Sequence, residues 1–464
     1  MARTLLKGAT VVPVDPAMPE SLLADILIEN QVITAVQPEI PSHAPDLDVI
    51  DLQGRILIPG LVDTHRHLWQ SLFRYAGADW TIENYVSAMW GTLGPAFEPE
   101  DMSTALTLGL AEAVSAGCTQ IFDWNHNHLT PEHSDAAVEA HRAAGLRSIL
   151  GYGQSTQVLS EFLQAGPSGG TTPPSEDIRR IRERYYSSDD QRTRLALAAR
   201  GGETANEAVI GAEAAQAREL GLRSSIHAGN ATWASVKPVL MQQRAAGLDA
   251  ETTWVHCNAL SSEELRLIAD SGATVSVSPE LELHMAIGPI AIRRLLEAGI
   301  EPSLSVDTCL NIGGELFSVM RAALSSVRGE VNAESIAAGI TPDSLPLSTR
   351  EVLKWATLEG ARANGLDHLT GTLTVGKRAD IVALDARQPN LSPVSYPTGS
   401  VVMGSHPGNV ELVMVDGEIL KRDFKLQRTD IDELSRRAER CRQSMLERTG
   451  THFEEGVLRM KSPR

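Results

Sequence analysis

Cysteine is scarce. The 464 residues hold four (Cys118, Cys257, Cys309, Cys441), with no CxxC or CxC spacing. So few scattered thiols in so large a chain read as reduced and cytoplasmic, and they disfavour a thiolate metal centre. Long hydrophobic runs are missing too, since no uninterrupted apolar stretch could span a bilayer. The opening MARTLLKGATVVPVD lacks the basic-then-apolar pattern of a secretory leader. Positive charge is in deficit: 41 Lys and Arg against 59 Asp and Glu give a formal net charge of −18. That balance argues against nucleic acid or an anionic membrane surface as a partner. What remains, 42% hydrophobic and 22% charged, is an ordinary globular composition. The length exceeds one small domain but suits a large α/β barrel with an addition.

The first sixty residues carry short β-branched, alternating segments (ATVVPVD, ADILIEN, QVITAVQ, DVIDLQGRILIPG) separated by Pro, Gly, Asn and Asp. From LVDTHRH onward the texture becomes strand followed by helix. The later strands are TQIFDW, LRSILGYG, RTRLALAAR, LRSSIHAG, TTWVHCN, ATVSVSPE and EPSLSVD. Eight such units predict an α/β chain whose parallel strands close into a (β/α)8 TIM barrel over residues 59–366. Residues 1–58 and 367–426 both have strand texture and are expected to pair into a small β-sandwich. Residues 427–464 are expected to form a C-terminal helix and tail, with Leu434, Ala438, Cys441 and Met445 on one face, packed on this chain or on a second subunit. GPSGGTTPPS, residues 166–175, reads as a solvated connector.

Barrel chemistry sits at the C-terminal ends of the strands. In LVDTHRHLWQSLFR, His65 and His67 lie two apart, so a strand turns both imidazoles to one face and Arg66 to the other. His227 closes the fifth strand, His256 the sixth and Asp307 the eighth. A single strand-end histidine is ordinarily a hydrogen-bonded polar residue. Four with an aspartate would repel or desolvate one another at a barrel mouth unless they shared a ligand. Converging neutral imidazoles suit a borderline metal such as zinc or iron.

PGLVDTHRH, HAG, VHC, the eighth-strand Asp and the tail GTLTVGKRADIVALD together resemble the amidohydrolase superfamily. Within it, the sequence is most similar to the mononuclear cytosine deaminase and triazine hydrolase group, in order and over nearly the whole chain. The resemblance implies that His65, His67, His227 and Asp307 ligate one divalent metal per chain, Zn2+ foremost with Fe2+ as the alternative. It places His256 beside the attacking water and the substrate. The fourth strand, RTRLALAAR, ends without the lysine that bridges two metals in dinuclear members, so one metal is expected. The implied reaction is hydrolytic deamination of a small nitrogen heterocycle by a metal-activated water. The resemblance also favours a homodimer or larger homo-oligomer. Two rivals are displacement of a non-amine group (halide, nitrite, thiolate) and a non-catalytic barrel that only binds.

One departure stands out. Deaminases of this group resemble HxxE at the fifth strand, where the Glu moves protons, whereas this chain reads His227-Ala-Gly-Asn230. Asn cannot exchange a proton at neutral pH. Three accounts are open: Asp307 accepts the proton, a carboxylate of SPELELH (Glu282 ahead of Glu280) reaches in, or the leaving group needs no acid. Gln70, Trp69, Trp90, His126, Gln154 and Asn230 are the candidate substrate-binding residues. Trp69 could equally be core. Trp80, Tyr85 and Trp90 share the long loop after the first barrel strand and suggest an apolar wall for a flat substrate or, alternatively, a dimer contact. Arg200 is expected to pair with an acidic neighbour, and His128 and His133 to cap the next helix or face solvent.

Overall fold

In the computed structural model, residues 3–165 and 170–460 are described. The chain opens with β1 (Arg3–Val11), β2 (Leu22–Glu29), β3 (Val32–Gln37), β4 (Leu47–Asp51) and β5 (Arg55–Pro59). Eight barrel strands follow: β6 (Leu61–Arg66), β7 (Cys118–Asn125), β8 (Arg147–Gly153), β9 (Thr193–Ala199), β10 (Ser224–Ala228), β11 (Thr252–His256), β12 (Thr274–Val277) and β13 (Ser303–Leu304). After them come β14 (Ile381–Asp385), β15 (Val410–Val415), β16 (Glu418–Arg422), β17 (Lys425–Leu426) and the hairpin β18 (Thr451–Glu454) and β19 (Val457–Met460).

β6 to β13 pair in sequence order, all parallel. Every residue of β7, β8 and β11 is buried, as expected of strands covered on both faces. The circle closes between the eighth strand and the first. Asp307 N donates to His65 O at 2.9 Å, and His67 N donates to Asp307 O at 2.7 Å. The backbone that seals the barrel therefore also sets three of the candidate ligands side by side.

The chain ends meet in one nine-stranded sheet with its own core, built from residues such as Leu6, Ile26, Leu57, Ile381 and Met414. β14 joins the halves, pairing antiparallel with β5 on one side and β15 on the other. The helix Ile431–Arg448 buries Leu434, Ala438, Cys441 and Met445. It lies against the helix Pro99–Ser115 of the same chain, with Cys441 Sγ 3.5 Å from Thr104 Oγ1. The β18–β19 hairpin beyond it was not foreseen. Trp80 packs there: its indole N–H donates to Gly456 O at 2.8 Å and its ring stacks on Phe453. Of the connector 166–175, the first four residues lie outside the described residues.

Arg147, at the start of β8, ties the barrel to the terminal sheet. Its guanidinium is buried, with Nε 3.0 Å from Asp380 Oδ2 and Nη2 2.5 Å from Asp416 Oδ1. Removing one member of a buried charge cluster leaves the others unpaired in low dielectric. Arg147→Met is expected to lower unfolding stability by about 3–5 kcal/mol in a denaturant titration. A loss below about 1 kcal/mol, the usual worth of an exposed ion pair, would contradict this role.

Candidate active site

The alternation of β6 turns His65 and His67 to one side, and β10 and the segment three residues past β13 bring His227 and Asp307 up to His65. His65 Nε2 lies 3.1 Å from His227 Nε2 and 3.5 Å from Asp307 Oδ1, and His67 Nε2 lies 3.3 Å from that oxygen. Metal bonds of about 2.0–2.1 Å put neighbouring donors about 2.9 Å apart at right angles and about 3.3 Å apart in a tetrahedron. These three spacings fall on that scale. His65 belongs to two donor groups, one with His67 and Asp307 and one with His227 and His256, each with its donors within 4.8 Å of one another, so the cluster suits a divalent ion. His67 Nδ1 donates to Trp124 O at 2.6 Å, which leaves Nε2 with its lone pair towards the cluster. His65 Nδ1 is buried without a partner.

Burial, reinforced by neighbouring imidazoles, holds His65 and His227 well below the usual imidazole range. Burial also lowers His67, partly offset by Asp307. Neutral imidazoles are the form a metal requires. His256 is the exception. Burial pushes it down, but the Glu282 hydrogen bond and the charges of Asp307, Glu282 and Glu203 outweigh that and raise it. His256 Nε2 is 3.5 Å from Asp307 Oδ2 and Nδ1 is 3.1 Å from Glu282 Oε1. His256 and Asp307 both sit at positive φ, +74° and +67°, a left-handed conformation costing roughly 1–3 kcal/mol for such residues.

His67, His227, His256 and Asp307 line one part of a cavity. Tyr85, Trp90, Trp124 and Trp233 give its aromatic wall, with Leu159 and Ile287 beside them. No Lys or Arg is among the described lining residues. His126 lines the cavity too. Two indoles aim their N–H at its ring nitrogens, Trp69 Nε1 at 3.2 Å from Nδ1 and Trp90 Nε1 at 3.1 Å from Nε2, and Tyr85 Oη stands 3.4 Å from Nε2. Burial first, then His67, keeps the ring neutral, so one nitrogen accepts and the other carries the proton. Trp90 Nε1 also lies 3.3 Å from Tyr85 Oη.

Other candidates stand behind the wall or away from it. Trp69 is fully buried and acts on the cavity only through His126. Gln70 is spent on both amide ends, donating to Tyr85 Oη at 2.7 Å and accepting from Thr308 Oγ1 at 2.6 Å. Gln154 donates to Pro173 O at 3.0 Å and is not part of the lining. Glu282 does not line the cavity either. Its Oε1 accepts from His256 and from Ser278 N, and its Oε2 accepts from Asn258. It meets the reacting centre only through His256. Arg200 pairs with Glu213 at 2.7 Å, as expected. His128 differs from expectation: it is buried and stacked on Tyr152 with ring centres 4.2 Å apart.

Asn230 lines the cavity and is clamped by a carboxylate that sequence reasoning missed, Glu203. Glu203 Oε1 accepts from Gly229 N at 2.7 Å and Asn230 N at 3.1 Å, and Oε2 accepts from Asn230 Nδ2 at 2.7 Å. Burial pushes it up to about 7, against the pull of those donors and of His256. The signal was RGGET after the fourth barrel strand, an acidic residue behind a Gly-Gly turn rather than at a strand end.

Comparison with known proteins agrees with this geometry. The profile of the amidohydrolase family matches residues 56–420. The 5'-deoxyadenosine deaminase of Methanothermobacter thermautotrophicus is 30% identical over 411 residues, covering 87% of this chain and 90% of that one. A zinc-bound adenosine deaminase from Xanthomonas campestris superposes with a TM-score of 0.80 at 23% identity, covering 96% of this chain and 98% of that one. The zinc complex of atrazine chlorohydrolase from Arthrobacter aurescens gives 0.79 at 21% identity, covering 95% and 100%. From barrel, buried donor set and matched length together, the chain belongs to the amidohydrolase family.

Proposed function

We propose that this protein is a metal-dependent aminohydrolase that releases ammonia from a flat, uncharged nitrogen heterocycle of about nucleoside size. One observation carries the reading: beside an aromatic-walled cavity, His65 Nε2 stands 3.1 Å from His227 Nε2 and 3.5 Å from Asp307 Oδ1, and His67 Nε2 stands 3.3 Å from that oxygen. His65, His67, His227 and Asp307 would hold one divalent ion, for which zinc is our choice. When bound, such an ion lowers the pKa of a water towards about 7 and makes it a nucleophile.

The protein's own residues do the rest. His126 borders the heterocycle, and Trp90, Trp124 and Tyr85 sandwich its faces and exclude water. Burial pushes the Tyr85 phenol upward, so it remains protonated as the partner of Gln70 and Trp90. His256 polarises the group under attack, held in register by Glu282 on its far nitrogen. Without Lys or Arg among the described lining residues, a phosphate or carboxylate on the substrate would be buried unpaired. That selects nucleoside-like over nucleotide-like molecules and agrees with the deaminase relative. Four free, buried cysteines support a cytoplasmic setting, and the resemblance to the cytosine deaminase and triazine hydrolase group supports a homodimer. No helix among the described residues is long and apolar enough to cross a membrane.

A panel of adenine nucleosides, their 5'-phosphates, pterins, pyrimidines and chlorotriazines, assayed for both ammonium and chloride, tests the reaction class. Ammonium from an uncharged ring is expected, with a 5'-phosphate lowering kcat/KM at least about a hundredfold, the cost of roughly 3 kcal/mol for an unpaired buried charge. Chloride release without ammonium would replace deamination by halide displacement.

A second measurement separates the ligands from His256. Asp307→Asn is expected to lose bound metal. His256→Ala should retain it while kcat falls roughly 10²–10⁴-fold, the range of a lost acid–base group. Glu282→Gln should fall between wild type and His256→Ala. Metal loss in His256→Ala would make it a fifth ligand instead.

A further inference from the structure

The HxxE carboxylate is replaced by Asn230, yet the cavity does not lack a carboxylate. We propose that Glu203, from the turn after the fourth barrel strand, is a catalytic residue that carries protons between the attacking water and the heterocycle. The inference rests on the aminohydrolase reading above.

The geometry carries it. Glu203 lines the cavity with His227, His256 and Asp307. Its side chain is pinned by three donors, two on Oε1 and one on Oε2. A carboxylate oxygen has two acceptor positions, so one position on Oε2 is left open. Asn230 is one of those donors. The residue standing where the usual Glu would be therefore grips the carboxylate that replaces it. Two glycines allow the approach. A Cβ on Gly201 would lie 2.9 Å from His227 O and 2.8 Å from Ile226 Cγ2. Gly229, at φ +87°, would place one 2.7 Å from the Cys257 carbonyl carbon. Bulkier residues would push the Glu203 turn off the strand end that bears His227. A group protonating near 7 also suits two-way proton traffic at neutral pH.

The step balances as follows. The water oxygen bonds to the amine-bearing carbon, and one water proton passes to Glu203 Oε2 and on to the adjacent ring nitrogen. The remaining hydroxyl proton moves to the amino group while the C–N electron pair leaves with nitrogen. The products are ammonia and the oxo heterocycle, and Glu203 is regenerated.

The test uses full-length metal-loaded protein with 5'-deoxyadenosine as the probe. Glu203→Gln should keep its metal and alter KM less than threefold, while kcat falls roughly 10²–10⁴-fold. The double variant Glu203→Gln/Asn230→Glu, which restores HxxE, should recover at least about tenfold of that loss, a rescue no purely structural role predicts. Should the Gln variant fold poorly, Glu203→Ala replaces it, with turnover expected to rise with added formate. Wild-type turnover in Glu203→Gln, or a Glu203→Ala rate indifferent to formate, overturns the inference alone. Failure of the wild type to release ammonium from 5'-deoxyadenosine or any other heterocycle of the panel overturns the function and this inference with it.

Discussion

Three imidazoles and a carboxylate crowd one barrel mouth: His65 Nε2 is 3.1 Å from His227 Nε2 and 3.5 Å from Asp307 Oδ1, and His67 Nε2 is 3.3 Å from that oxygen. Where lone pairs meet at such spacings they repel, and a protein interior has no water to separate them. A shared cation turns that mutual repulsion into coordination. Much of the remaining site serves to hold this arrangement. The barrel closes through the backbone of His65, His67 and Asp307, and Asp307 and His256 hold left-handed backbone that strain alone would not retain.

Around the cluster, orientation is imposed from behind. Trp124 fixes which nitrogen of His67 faces in, Trp69 and Trp90 hold the ring of His126 between their indole N–H groups, and Glu282 anchors His256. Each imidazole has two chemically distinct ends, and a buried partner at one end decides what the other can do. This explains why Trp69, Gln70 and Glu282 matter although none lines the cavity. Glu203 follows the same logic with the chemistry reversed: three donors grip it, and it lines the cavity with one acceptor position on Oε2 not taken up by them.

The barrel was legible because parallel strands buried on both faces leave long apolar runs, and His65, His67, His227, His256 and Asp307 each end one. Strand alternation made the first pair readable, and the rule that barrel chemistry sits at strand C-termini made the others so. Loops carry no such period. Glu203 sits four residues past Ala199, beyond a Gly-Gly turn, and nothing in its neighbourhood marks it as facing His227. Composition likewise could not say that Trp90 faces the cavity while Trp80 packs on Phe453, nor that Gln154 turns to Pro173. The terminal hairpin left no signal in the sequence because its strands, Thr451–Glu454 and Val457–Met460, are too short to set up a readable alternation.

The central claim is that four side chains from three separate parts of the barrel hold one metal ion. X-ray absorption at the metal edge, with elemental stoichiometry on protein purified without chelator, tests it most directly. The account predicts one ion per chain in a nitrogen and oxygen shell with three imidazoles, and loss of that ion when His67 is replaced by alanine. A sulfur-containing shell, or an ion retained in that variant, would contradict it.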